Sequence, residues 1–175
     1  MKLLKIFWIL LCISFLSFQS DHHKVLVFNK TLEVNLPDGW KEKETTKKGS
    51  YFVTTYLRTT NDSVSSTGVY SVKLQPTNGQ DIKTFSTRQL EPEKKRKDFV
   101  MEKVITHSDG VLPFHYGIGY WCTYTEEASG KKIKVFYAHA IHQNNAASIL
   151  MKIAQEDFTK VETEWVNIIK SHRFI

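Results

Sequence analysis

Histidine and cysteine are the side chains of this sequence that could bind a metal ion or act as nucleophiles. His107 and His115 flank a turn and could meet on a hairpin. His139 and His142 are three positions apart, a spacing that places them on opposite faces of a strand. A zinc or copper site needs three or four converging ligands, and no local segment supplies them. We therefore predict no metal ligands and no cofactor; convergence of His107, His115 and His139 would indicate a metal site instead.

Cys122 is the cysteine to consider as a nucleophile, because His115 and His139 lie within the same aromatic region. A cysteine nucleophile needs a cationic or histidine neighbour that lowers its pKa, and nothing in the sequence pairs either histidine with Cys122. The serines lie in polar loops without a Gly-x-Ser-x-Gly motif, and no glycine-rich phosphate loop occurs. Cys122 is expected to be a small buried apolar residue. The sequence predicts no catalytic residues and no enzyme.

Aromatic side chains are abundant, with 11 Phe, 7 Tyr and 4 Trp. Most of them are expected to form the core, but some could line an exposed surface on the sheet. Strand register decides which face each ring occupies. We predict a binding surface around Tyr116, Tyr120, Trp121 and Tyr137.

The strands and helices that position these residues follow an apolar N-terminal segment. Lys2 and Lys5 precede an apolar run from Ile6 to Phe18, which is too short to cross a bilayer comfortably. This pattern predicts a secretory signal peptide over residues 1–20, followed by a single domain over residues 21–175.

Two alternatives to a cleaved signal remain open. The positions before the expected cleavage site lack the usual small residues, since Phe18 lies three positions before a cut after Ser20. The segment could therefore be an uncleaved anchor, or the chain could be a lipoprotein cut before Cys12 and acylated on it. Removal of Cys12 would leave Cys122 as the only thiol, so we predict no internal disulfide.

The charge is mildly basic, with a formal net charge of +6 and one dense run over 94–97. Glu91, Glu93 and Asp98 flank that run, which is typical of a solvated helix face. Export also argues against a nucleic-acid partner, and we predict none.

Short alternating runs separated by turns predict antiparallel strands, and two segments with helical spacing predict one helix in mid-chain and one near the C-terminus. The first two strands form a hairpin ending at the turn Leu36–Trp40. The predicted fold class is α+β, an antiparallel sheet with an N-terminal hairpin, flanked by both helices. The predicted strands are 25–28, 32–36, 51–57, 69–74, 99–107, 114–125, 132–142 and 149–154; the predicted helices are 82–90, with a further turn from Pro92, and 157–171.

The strand leading into Leu36–Trp40, the mid-chain helix, the aromatic meander and a closing helix with Phe158 and Trp165 resemble the Mog1/PsbP-like superfamily. The resemblance covers nearly all of residues 21–175 and includes exported bacterial PsbP-like and DcrB-like proteins. It implies an antiparallel sheet flanked by helices, usually without enzymatic activity. Superfamily members include a nuclear-transport regulator, photosystem extrinsic proteins and bacterial envelope proteins.

These observations together predict an exported, periplasmic or secreted accessory protein that binds another protein of the envelope. A carrier that holds a small ligand or a metal ion on the sheet face is the alternative. No membrane span is expected unless residues 1–20 remain attached.

Overall fold

The computed structural model describes residues 23–59 and 66–175, so the predicted signal segment lies outside the described residues. Ten strands and two α-helices form in the described part. The strands are β1 (His23–Phe28), β2 (Leu32–Pro37), β3 (Trp40–Lys48), β4 (Tyr51–Thr59), β5 (Ser66–Pro76), β6 (Val100–Thr106), β7 (Gly117–Thr125), β8 (Lys132–His142), β9 (Asn145–Ala154) and β10 (Arg173–Phe174). The helices are α1 (Ile82–Leu90) and α2 (Gln155–Ser171).

Seven of these strands form one antiparallel sheet in the order β3-β4-β5-β9-β8-β7-β6. The N-terminal hairpin β1-β2 does not join this sheet. It forms a separate antiparallel sheet in the order β1-β2-β10, in which Arg173 and Phe174 pair with β2. The α+β class, the N-terminal hairpin and the two helices are as predicted from the sequence.

Helix α2 and the small sheet cover one face of the seven-stranded sheet. The apolar stripe of α2 buries Val161, Trp165, Ile168 and Ile169, which pack into one core with side chains of both sheets. Arg58 on β4 also binds this helix, with Nε and Nη2 each donating to Glu164 at 3.0 Å. The bidentate contact fixes the helix against the edge of the sheet.

Helix α1 covers part of the opposite face, over β7 and β8. Asp81 accepts a hydrogen bond from the Thr84 backbone N–H at 2.9 Å, which caps the helix at its predicted start. Phe85 and Leu90 of this helix are buried. Tyr120, Cys122, Tyr124, Val135 and Tyr137 form the second core on this face. No helix in the described residues has the length and apolarity needed to cross a membrane.

Two segments differ from the sequence prediction. The strongly charged segment Trp40–Lys48 is a strand, although no strand was predicted there. Its side chains after Trp40 are all exposed, so it has no buried apolar face to produce the period-two pattern. The basic run over 94–97 lies in and after a short 3₁₀ turn, Glu93–Lys95, rather than on a helix face.

Candidate functional site

Tyr120 and Tyr137 lie opposite each other on β7 and β8, on the face that α1 covers. Both rings are buried. The Tyr120 hydroxyl lies 2.7 Å from Ser86 Oγ on α1, and the Tyr137 hydroxyl donates to Glu93 Oε2 at 2.5 Å. These two residues hold helix α1 and the following turn on the sheet.

Trp121 and Tyr116 lie elsewhere. Trp121 is on the α2 face, with its ring centroid 4.8 Å from Phe136 and 5.3 Å from Phe158. Tyr116 precedes β7 and is 71% exposed. The structure therefore brings Tyr120 and Tyr137 together and separates both from Trp121 and Tyr116. Of the four, Tyr116 alone has a largely exposed side chain.

Glu93 is the centre of a polar cluster below the turn that follows α1. Arg96 Nε donates to its carboxylate at 2.5 Å, and the Arg96 guanidinium lies 4.7 Å from the centre of the Tyr124 ring. Burial raises the pKa of Glu93, but hydrogen bonds from Arg96 and Tyr137 outweigh it and leave the pKa below its ordinary value. Burial and the Glu93 hydrogen bond raise the pKa of Tyr137. Tyr137 therefore stays a neutral phenol that donates to a carboxylate.

Cys122 and His139 are buried on the same face. Burial raises the pKa of Cys122 to about 12, so its sulfur is a protonated thiol at neutral pH. Burial lowers the pKa of His139 to about 4, so its imidazole is neutral. His139 Nδ1 lies 3.2 Å from Ser148 Oγ, whereas Nε2 has no hydrogen-bond partner in the described part of the chain. Neither side chain is activated for nucleophilic or acid–base chemistry.

His107 and His115 meet, as their positions on either side of one turn allowed, with ring centroids 4.0 Å apart. His107 Nδ1 donates to the Leu112 carbonyl at 3.2 Å. His139 does not join them, since it packs against Phe85 and Tyr120 beneath α1. Residues 23–59 and 66–175 contain no group of three or more His, Cys, Asp and Glu side chains arranged to hold a metal ion. Two imidazoles supply fewer ligands than a structural or catalytic zinc site uses.

The two edges of the seven-stranded sheet differ in chemistry. Edge strand β3 carries Lys, Glu and Thr side chains after Trp40, the composition that blocks pairing with another chain. Edge strand β6 exposes three apolar side chains: Val100 is 53% exposed, Met101 36% and Val104 49%. Met101 and Val104 lie opposite Cys122 and Tyr120, so both belong to the α1 face. Sequence reasoning missed this site, because β6 alternates like any half-buried strand and only the sheet order shows that it is an edge.

Comparison with known proteins identifies the fold. No family model and no curated protein matches the sequence. LpqN of Mycobacterium tuberculosis, described as involved in cell envelope biogenesis, superposes with a TM-score of 0.62 at 12% identity over 89% of this chain and 93% of its own. The Ran-binding protein Mog1p of Saccharomyces cerevisiae gives 0.56 at 10% identity, over 87% of this chain and 95% of its own. Cyanobacterial PsbP (CyanoP) of Synechocystis sp. PCC 6803 gives 0.56 at 9% identity, over 91% and 96%. The chain has the Mog1/PsbP-like fold, as the sequence resemblance implied.

Proposed function

We propose that this protein is an exported, non-enzymatic accessory protein of the cell envelope, and that it binds a partner protein along edge strand β6. The observation that carries the proposal is the unpaired edge of β6 with Val100, Met101 and Val104 exposed on it. In this proposal, residues 1–20 are a signal peptide and residues 21–175 are the exported domain. The neutral states of Cys122 and His139 support a role in binding rather than catalysis.

An edge strand with exposed apolar side chains favours one mode of recognition. A partner segment in extended conformation adds a strand to such an edge through backbone hydrogen bonds, and its alternate side chains contact the apolar residues. Soluble proteins usually protect their edge strands with charges, as β3 does here. β6 carries Glu102 and Lys103, but unlike β3 it also exposes apolar side chains beside these charges, which supports it as an interaction surface.

Three lysines near β6 favour a partner segment with acidic residues. Lys103 lies on β6, and Lys95 and Lys97 precede the strand; all three are exposed. Within the described residues, none of the three forms an ion pair with a carboxylate. We therefore expect an extended segment with alternating apolar side chains and acidic residues, since complementary charge steers association and fixes register.

Two of the structural neighbours are compatible with this role. LpqN is described as involved in cell envelope biogenesis, and Mog1p as a Ran-binding protein. Involvement in cell envelope biogenesis and the binding of a protein are therefore both found among proteins of this fold. Fold alone does not transfer either property, and the proposal depends on the edge strand.

Site-specific photo-crosslinking in the native host tests the proposal. A photoreactive amino acid replaces Val104 on β6 or, as the matched control, Thr46 on the opposite edge strand β3. The proposal predicts an adduct at Val104 but not at Thr46, with the crosslinked peptide being an extended acidic segment. Lys103→Glu should lower the adduct yield. Equal adducts at both edges, or none at Val104, would refute the edge-strand proposal.

Export is tested separately by the intact mass of the protein from soluble and membrane fractions. A soluble species that lacks about twenty residues would support the signal peptide. A full-length chain in the membrane fraction would instead indicate an anchor, and an acylated chain beginning at Cys12 would indicate a lipoprotein. Either result would overturn the cleaved-signal proposal without affecting the β6 test.

A further inference from the structure

A small polar pocket lies on the α1 face, where β5, the start of β4 and helix α1 meet. Its volume is 200 Å³. Tyr51, Lys73, Gln75, Arg88 and Gln89 are among the residues that line it, and none of the lining residues is acidic. Drug-sized ligands occupy sites of roughly 300–1,000 Å³, so this pocket suits a small group or a single headgroup.

Two cations face this pocket without a carboxylate partner. Lys73 Nζ lies 4.7 Å from the centre of the Tyr51 ring, a contact that positions the ammonium group over the aromatic face. Arg88 approaches from the last turn of α1. In the described part of the chain, neither cation is within ion-pair distance of an Asp or Glu side chain.

The two cations lie close enough to influence each other. Burial and the Arg88 guanidinium together hold the pKa of Lys73 below its ordinary value. Glu93 is engaged elsewhere, because it accepts from Arg96 and Tyr137. Lys73 is half-buried and Arg88 exposed where they line the same pocket, so an anion between them would reduce their mutual repulsion.

The remaining lining groups complement an anion. Gln75, which is buried, lines the pocket together with Gln80 and Gln89. Each amide supplies N–H donors, and an arginine guanidinium presents donors in a fork that fits the oxygens of phosphate or carboxylate. A metal cation is disfavoured, because the lining offers positive charge and no carboxylate or imidazole.

We propose that this pocket binds a phosphate-type oxyanion, with Lys73 and Arg88 as the charged ligands and the glutamine amides as additional donors. A phosphate monoester carries about −1.5 to −2 at neutral pH, which matches the two cations. The anion is either free phosphate or the phosphate of a lipid headgroup, and both present the same oxygens. The site lies apart from edge strand β6 and does not depend on the protein partner.

The test is a titration of the full chain with inorganic phosphate, followed by NMR of the Lys73 and Arg88 side chains at constant ionic strength. Lys73→Met and Arg88→Gln remove one charge each, whereas the control Lys83→Gln removes a charge from an exposed position of the same helix outside the pocket. Saturable binding that weakens about tenfold or more in the two pocket variants, and is unchanged in the control, is expected. Bound phosphate should also raise the pKa of Lys73 in the wild-type chain.

A parallel titration with a soluble short-chain phosphatidic acid separates the two sources. Tighter binding of the lipid supports a headgroup site, and tighter binding of inorganic phosphate supports a site for the free anion. Absence of saturable binding of either probe would overturn the proposal. The same conclusion would follow if Lys83→Gln weakened binding as much as the pocket variants, because only general charge attraction would then be measured. The circular dichroism spectrum of each variant shows whether it is folded.

Discussion

Acidification from neutral pH is expected to destabilise this fold through two buried histidines, His139 and His172. His172 follows α2 and is fully enclosed: the Tyr70 hydroxyl donates to its Nε2 at 2.8 Å, and its Nδ1 donates to the Ile169 carbonyl at 3.1 Å. This hydrogen-bond pattern requires the neutral imidazole, because a protonated His172 could not accept from Tyr70. His139 is neutral for a different reason, since apolar surroundings remove water from its Nε2.

The size of this destabilisation follows from the difference in histidine pKa between the folded and unfolded chains. Burial lowers the pKa of each histidine from 6.5 to about 4 in the folded protein. Between these values the unfolded chain binds a proton at each histidine and the folded chain does not, so stability increases with pH. A shift of this size corresponds to about 3 kcal/mol of unfolding free energy for each histidine. This contribution is complete above the unfolded pKa and decreases as the pH falls toward 4.

Urea unfolding monitored by tryptophan fluorescence, repeated from about pH 4.5 to about pH 7.5, measures this dependence. His172→Gln and His139→Gln remove one titrating group each, and glutamine can still accept the Tyr70 hydrogen bond. Each variant should lose about half of the wild-type change in unfolding free energy over this range. His142→Gln is the matched control, because His142 is an exposed histidine at the end of β8. It should retain the full pH dependence.

One result would refute this reasoning. If both buried-site variants kept the wild-type slope against pH, the protons would be taken up by other groups. Carboxylates with a lowered folded pKa, such as Glu93, would then be the source of acid sensitivity. Carboxylates titrate at a lower pH than the histidines of the unfolded chain. The pH range over which the unfolding free energy falls therefore distinguishes the two explanations.

Three further predictions concern the Arg58–Glu164 contact, Trp165 and Cys122. Glu164→Gln removes the negative charge and one of the two acceptor oxygens that bind Arg58, and should lower the unfolding free energy by about 1–3 kcal/mol in a chemical denaturation series, whereas Glu162→Gln, on the exposed side of α2, should change it little. Trp165→Ala should cost about 3–5 kcal/mol, whereas Trp165→Phe should cost much less, because phenylalanine keeps most of the aromatic volume in the core and the indole N–H that both variants lose has no partner in the described residues; equal losses in the two variants would contradict this. Cys122 should react with a thiol reagent at the rate of unfolding, and rapid modification of the native protein would show that it is accessible.

Much of the fold could be predicted because most elements bury one face. The spacing of Val161, Trp165 and Ile168 predicted α2, and the turn Leu36–Trp40 correctly placed the end of the first hairpin. β3 was missed because it lies at an exposed edge, where no apolar pattern is required. The separate small sheet was also missed, since pairing between β2 and β10 is a long-range contact with no local signal.

The candidate sites were less predictable, because they depend on which side chains share a face. Tyr120 and Trp121 are adjacent in sequence and lie on opposite faces of β7, one beneath α1 and the other against α2. Lys73 and Arg88 face the same pocket from a strand and a helix, and no spacing rule relates them. His107 and His115 could meet because a single turn connects them, and they do.

The pairing of β10 with β2 has a consequence for the order in which the protein forms during synthesis. The contact between Asn35 and Ser171, beside this pairing, joins residues 136 positions apart, and the Ile175 backbone N–H donates to the Thr31 carbonyl. The small sheet therefore cannot assemble until the ribosome has added these distal residues. Until then the β2 edge of the nascent hairpin β1-β2 is unpaired, and no helix α2 covers Leu32 and Val34, although both are fully buried in the finished protein. The growing chain consequently exposes the apolar side chains of this hairpin until translation is nearly complete. A chaperone or translocation factor can bind them during that time.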